Sequence, residues 1–134
     1  MKTATISFFA TLLPLLLIDG AYLFGISSSF YHRHIGHLMA PSPTFLPAIL
    51  FYLVYAVGIV VFVVLPAIRG GQGIGHSWIM GAFLGIVAYG AYDMTNQATL
   101  RDWPVIVSVV DMAWGAFLTG TVSLIAVWVS RMFV

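Results

Sequence analysis

Four apolar stretches, each longer than the roughly 18 residues needed to cross bilayer hydrocarbon, set what this chain can become. They run from about Ala4 to Ile26, Phe45 to Leu65, Trp78 to Gln97 and Pro104 to Val129. In lipid every backbone N–H and C=O must find a partner within the protein, which leaves helices or a closed barrel. The alternation of barrel strands is absent. The expectation is therefore an all-α integral membrane four-helix bundle, one transmembrane domain over residues 1–134. Composition agrees: 61% of residues are hydrophobic and only 7% charged. A water-soluble domain carries far more charge. The net charge of +1 argues against nucleic acid, which demands a basic patch. The absence of cysteine excludes disulfides, iron–sulfur clusters and thiolate chemistry. Lys2 and the apolar run after it imitate a signal peptide, but the run continues past Asp19 to Phe24 and reads as a retained helix.

Prolines and tryptophans punctuate the spans. Pro14 should bend the first helix, Pro47 is tolerated in the first turn of the second, and Pro66 should end it. Trp78, Trp103 and Trp128 fall near span ends, where indole rings favour the interface. Arg69 to His76 reads as a flexible glycine loop; it follows a membrane helix and lacks a P-loop lysine. Thr99 to Trp103 is short, so the third and fourth helices should be antiparallel neighbours. Lys2, Arg69 and Arg131 lie on one side, Arg33 and Arg101 on the other. That bias places both termini in the cytoplasm.

Inside these spans sit Asp19, Asp93 and Asp111. A carboxylate at membrane depth costs a few kcal/mol and marks a functional site by default. With spans alternating in direction, all three fall on the same side of the bilayer, each roughly 7–11 Å below one face. Tyr89, Asp93, Asn96 and Gln97 share one face of the third helix, and Ser108, Asp111, Gly115 and Thr119 form a stripe on the fourth. On the first helix Asp19 shares its face with Leu15, Leu16 and Tyr22. The second, with Tyr52, Tyr55 and Gly58, reads as a wall. Tyr22, Tyr89 and Trp114 would give the pocket an aromatic lining. Crowded carboxylates repel, so the cluster must share protons or hold a cation.

The segment Ser27 to Thr44 carries His32, Arg33, His34 and His37. Over Ser29–Met39 it reads as a short interfacial helix roofing the pocket, with Phe30, Tyr31, Ile35, Leu38 and Met39 toward lipid. Arg33, His34 and His37 then group on the polar side and, with Arg101, are candidates for headgroup contact or counter-charge. Only two histidines converge, so no metal is assigned there.

The run Tyr89-Gly-Ala-Tyr-Asp-Met-Thr-Asn-Gln-Ala-Thr-Leu-Arg-Asp-Trp-Pro104 and the later Asp111-Met-Ala-Trp-Gly115 resemble the DUF2177 family of small bacterial predicted membrane proteins. Leu17-Ile-Asp-Gly-Ala-Tyr22 and Phe30 to Met39 resemble its first helix and first loop. The resemblance covers nearly the whole chain. It implies a compact four-helix protein of the bacterial inner membrane, and no activity or cofactor to carry over.

Three functions compete on these residues. The leading one is binding of a lipid-like or weakly cationic small molecule by Asp19, Tyr22, Tyr89, Asp93, Asn96, Asp111 and Trp114, with proton coupling as a variant. The second is an enzyme acting on a lipid, with Asp93 as general acid or base, or with a divalent metal bridging Asp19, Asp93 and Asp111. The third is a structural or assembly subunit whose aspartates serve helix packing.

Overall fold

The computed structural model describes residues 1–134. Each apolar stretch closes its backbone bonds within itself as helix. α1 (Lys2–Ala21) runs on through a π-helical turn at Tyr22–Ile26; α2 (Ser28–Ile35) and a 3-10 turn (Gly36–Leu38) fill the first connection. α3 (Phe45–Ile59) passes through a π-helical turn (Val60–Val64) into α4 (Leu65–Arg69), and α5 (Ile74–Thr99) and α6 (Val105–Phe133) follow. The helices Lys2–Ile26, Phe45–Arg69, Ile74–Thr99 and Val105–Phe133 are all long and apolar enough to cross a membrane. The protein is all-α with four candidate spans and a short helix between the first two.

Pro66 does not end the second span, which reaches Arg69. The π-helical turn just before it supplies the reason. At Val60–Val64 the bonding widens by one residue, so the turn that meets the proline ring is already opened where Pro66 has no N–H to donate. The glycine segment is likewise shorter than its composition suggests. Ile74, Gly75 and His76 are helical, and the remainder is a tight helix stop. Gly71 takes φ +62°, Gly71 N–H donates to Ile68 O at 3.3 Å, and Gln72 N–H donates to Ala67 O at 3.0 Å. These are the two bonds of a Schellman cap. Arg131 donates to Ala67 O at 3.2 Å and also to Gln72 O, placing a cation at the negative end of this helix.

α6 is the axis of the bundle. It packs most extensively on α5, next on α1, and carries the longest set of buried residues. Small residues set the α5–α6 distance: a Cβ added to Gly85 would lie 2.1 Å from Gly115 O. The apolar core gathers Leu15, Ile59, Val64, Leu118, Val122 and Val127, with Tyr52 and Trp114 packed against it. Most remaining large apolar side chains, such as Phe9, Leu50, Phe62 and Phe83, are exposed on the outer surface, where lipid is their solvent.

An even number of spans predicts both termini on one face, with the α2 connection and the α5–α6 turn on the other. Single cysteines at Ser42 and Gly73, both exposed, should react with an impermeant thiol reagent from opposite sides. Labelling of both from one side would overturn this arrangement.

Candidate functional site

α1, α5 and α6 bring their aspartates to the same end of the bundle, and all three are buried: Asp19 4%, Asp93 0% and Asp111 8% exposed. On α1 the buried stripe Ser7, Thr11, Leu15, Asp19 advances by four residues each time, one helix face. Leu16, expected on that face, is 42% exposed and lies outside it, because a residue one position on turns about 100° away.

Asp19 is fully engaged. Trp114 Nε1–H donates to its Oδ1 at 2.9 Å, and the Tyr52 hydroxyl donates to its Oδ2. Tyr22 then stacks on the Trp114 indole, with ring centroids 3.8 Å apart and planes 11° from parallel. The π-helical turn that begins at Tyr22 adds a residue to the end of α1 at this place, and Ser27 closes it by donating to Tyr22 O at 2.7 Å. π-helical turns of this kind are frequent at functional sites.

The network continues through the roof. The Tyr22 and Tyr31 hydroxyls are 3.1 Å apart, and Tyr31 donates to Asp111 Oδ1. Tyr31, whose spacing predicts a lipid-facing side chain, instead reaches inward from α2. Helical spacing alone does not decide this, since a tyrosine suits either side and the buried acceptor belongs to a helix 80 residues on. Burial, and after it the hydrogen bond to Asp111, pushes the Tyr31 phenol well above its ordinary pKa. Tyr31 therefore remains a neutral donor through the physiological range. Because its pKa is raised on folding, the stability it contributes is present below the unfolded value, about 10, and is lost only as alkaline pH climbs past it.

Asp93 differs from its two companions. Its carboxyl is close enough to that of Asp111 to share a hydrogen bond when one of the two is protonated, and no other donor reaches Oδ1 or Oδ2. Tyr89 lies within electrostatic reach of both Asp19 and Asp111 and packs its ring against Gly115. The buried end thus holds one run of groups: Tyr52, Asp19, Trp114, Tyr22, Tyr31, Asp111 and Asp93. No set of three His, Cys, Asp or Glu side chains converges to hold a metal ion. The three aspartates do not converge into a set that a bridging divalent ion would need.

The expected counter-charges stay outside. Arg33, His37 and Arg101 are all exposed, and none reaches a carboxylate. His34 is half-buried, with Nδ1 2.9 Å from Phe30 O. The hydrogen bonds at Asp19 and Asp111 come from tyrosine and tryptophan, not from a cation. Asn96 is half-buried and turns toward the Tyr92 hydroxyl on its own helix. Tyr52 and Tyr55, read as a wall, contribute directly: Tyr52 to Asp19, and Tyr55 to the Thr119 hydroxyl at 2.6 Å. A signal for these exists in the sequence, since a neutral phenol is the donor that can meet a buried carboxylate without burying a second charge.

The family described as Predicted membrane protein (DUF2177) matches residues 4–128, and the chain belongs to it. No curated protein and no solved structure matches the chain.

Proposed function

We propose that this member of the DUF2177 family of predicted membrane proteins binds a weakly cationic, lipid-like small molecule at the Asp93–Asp111 pair. The observation that carries the reading is Asp93, wholly buried with no fixed donor on either carboxyl oxygen and the Asp111 carboxyl beside it. An ionised carboxylate in that state costs several kcal/mol. Asp93 therefore holds either a proton or a cation that the chain does not itself supply. A ligand ammonium or hydroxyl meets that need, and Tyr31, Tyr89 and Trp114 border it with aromatic surface. Uptake of the ligand's charge would exchange for the carboxyl proton, which is the proton-coupled form of the reading. Positive-inside counting puts this site on the outer side of the bacterial inner membrane, with both termini cytoplasmic.

Asp19 supports a separate, structural role. Both of its oxygens accept from side chains of other helices, so it packs α1 against α3 and α6.

The test compares wild type, Asp93→Asn and Asp19→Asn in phosphatidylcholine nanodiscs, with benzylamine as the probe. Infrared difference spectra at about pH 7 should show a protonated carboxyl band that benzylamine removes. Asp93→Asn should lose both the band and the binding, while Asp19→Asn should keep both. Binding that survives Asp93→Asn unchanged would overturn the proposal.

A further inference from the structure

The first connection carries a cation that the carboxyl site does not use. The first span ends at Ile26 and the second begins at Phe45, so α2 and the turn after it lie at the level of the lipid headgroups. The segment suits that level. Phe24 and Ile26 before it and Leu38 and Met39 at its end are large, apolar and exposed, and His32, Arg33 and His37 are exposed between them. α2 packs extensively only on the turns that flank it, and Tyr31 is the one side chain that hydrogen-bonds from it into the spans. No acid of the chain balances Arg33. Asp19, Asp93 and Asp111 are buried, and Asp102, the one exposed acid, follows Arg101 directly. A guanidinium left over in this way suits a phosphate, which it meets with two parallel N–H donors. The imidazoles on either side of it offer the opposite chemistry. His32 Nδ1 lies 2.8 Å from Ser28 O, and His34 Nδ1 lies 2.9 Å from Phe30 O. A carbonyl only accepts, so Nδ1 is the donor in each ring, and Nε2 of the neutral imidazole is left as an acceptor.

We propose that α2 is a contact surface for an anionic phospholipid whose headgroup bears free hydroxyls, with Arg33 on the phosphate and the histidine acceptors on the hydroxyls. The occupant follows from the charge and the setting. An unbalanced guanidinium selects an anion, and the imidazole acceptors select one that also donates. A phospholipid, unlike a soluble anion, brings acyl chains to cover the apolar residues at both ends of the segment. This surface is separate from the carboxyl site, whose proposed occupant is a cation.

Phosphatidylglycerol and phosphatidylmethanol carry the same phosphate charge, but only the first has headgroup hydroxyls. Native mass spectrometry of the solubilised protein titrated with each should show phosphatidylglycerol bound about fivefold more tightly, the worth of one net hydrogen bond. Arg33→Gln, a change at an exposed position, should weaken both lipids about fivefold, the worth of one basic residue at a lipid surface. Arg69→Gln removes an exposed cation at the opposite end and should leave both within about twofold of wild type. Amide exchange in phosphatidylcholine nanodiscs, with and without phosphatidylglycerol, locates the contact. Phosphatidylglycerol should slow exchange over Ser28–Leu38 in wild type and not in Arg33→Gln. No slowing there, or Arg33→Gln without effect on either lipid, would overturn the proposal. Equal affinity for the two lipids would remove the hydroxyl contact. Equal slowing by glycerol 3-phosphate in pure phosphatidylcholine discs would make the surface a soluble-anion site and so overturn the choice of a lipid.

Discussion

Asp19→Ala should destabilise the bundle by about 2–5 kcal/mol, whereas Asp93→Asn should leave its stability within about 1 kcal/mol of wild type. The two carboxyls are almost equally buried, so burial does not separate them. Their partners do. Removing Asp19 strands the Tyr52 hydroxyl and the Trp114 indole N–H together, and each donor left without an acceptor costs roughly 1–3 kcal/mol. It also frees Trp114 from the position in which Tyr22 stacks on it. Asp93 receives no hydrogen bond from a phenol, indole or other fixed donor, and asparagine keeps its shape, can still donate to Asp111 and removes any charge. Reversible unfolding in mixed micelles, followed by tryptophan fluorescence, measures both. Equal losses would mean that Asp93 is as engaged in packing as Asp19, and the proposed ligand role would lose its foundation.

Gly85→Ala should cost about 3 kcal/mol or more, and Gly90→Ala on the same helix should cost nothing or stabilise. A Cβ at Gly85 would stand 2.1 Å from Gly115 O and 2.6 Å from its carbonyl carbon. Both are backbone atoms, so no rotamer change relieves the clash and α5 must move away from α6. At Gly90 the nearest atom is the terminal methyl of Met112 at 3.1 Å, which can swing aside. Alanine also favours helix over glycine by up to about 1 kcal/mol. The same unfolding measurement reads both variants. Matching behaviour at the two positions would show that α5 and α6 are not held at backbone contact, which is the premise for aligning Asp93 with Asp111.

The close approach of α5 and α6 is legible in the sequence, because the small residues of α6 recur at helical spacing beside Asp111. So are the four spans and the common depth of the aspartates. Less legible are the places where one helix answers another. Pro66 reads locally as a stop, and only the π-helical turn before it lets the second span continue. Tyr31 reads as a lipid-facing aromatic, and only the position of Asp111 turns it inward. Arg131 counts in the sequence as a topological charge, and only the folded bundle brings it to the end of α4 as a cap.

What the sequence determined by itself follows from the solvent: in hydrocarbon, apolar length and the need to satisfy each backbone group specify helix, span and depth, all properties of one segment. Pairing was decided only by the tertiary structure. Three carboxyls of the same type, at the same depth, became two that accept from phenol or indole donors and one that meets only another carboxyl. That distinction depends on donors from other segments, Tyr52 and Trp114 for Asp19 and Tyr31 for Asp111. A hydrogen bond forms or fails over fractions of an ångström, a distance that packing sets and periodicity along the chain does not.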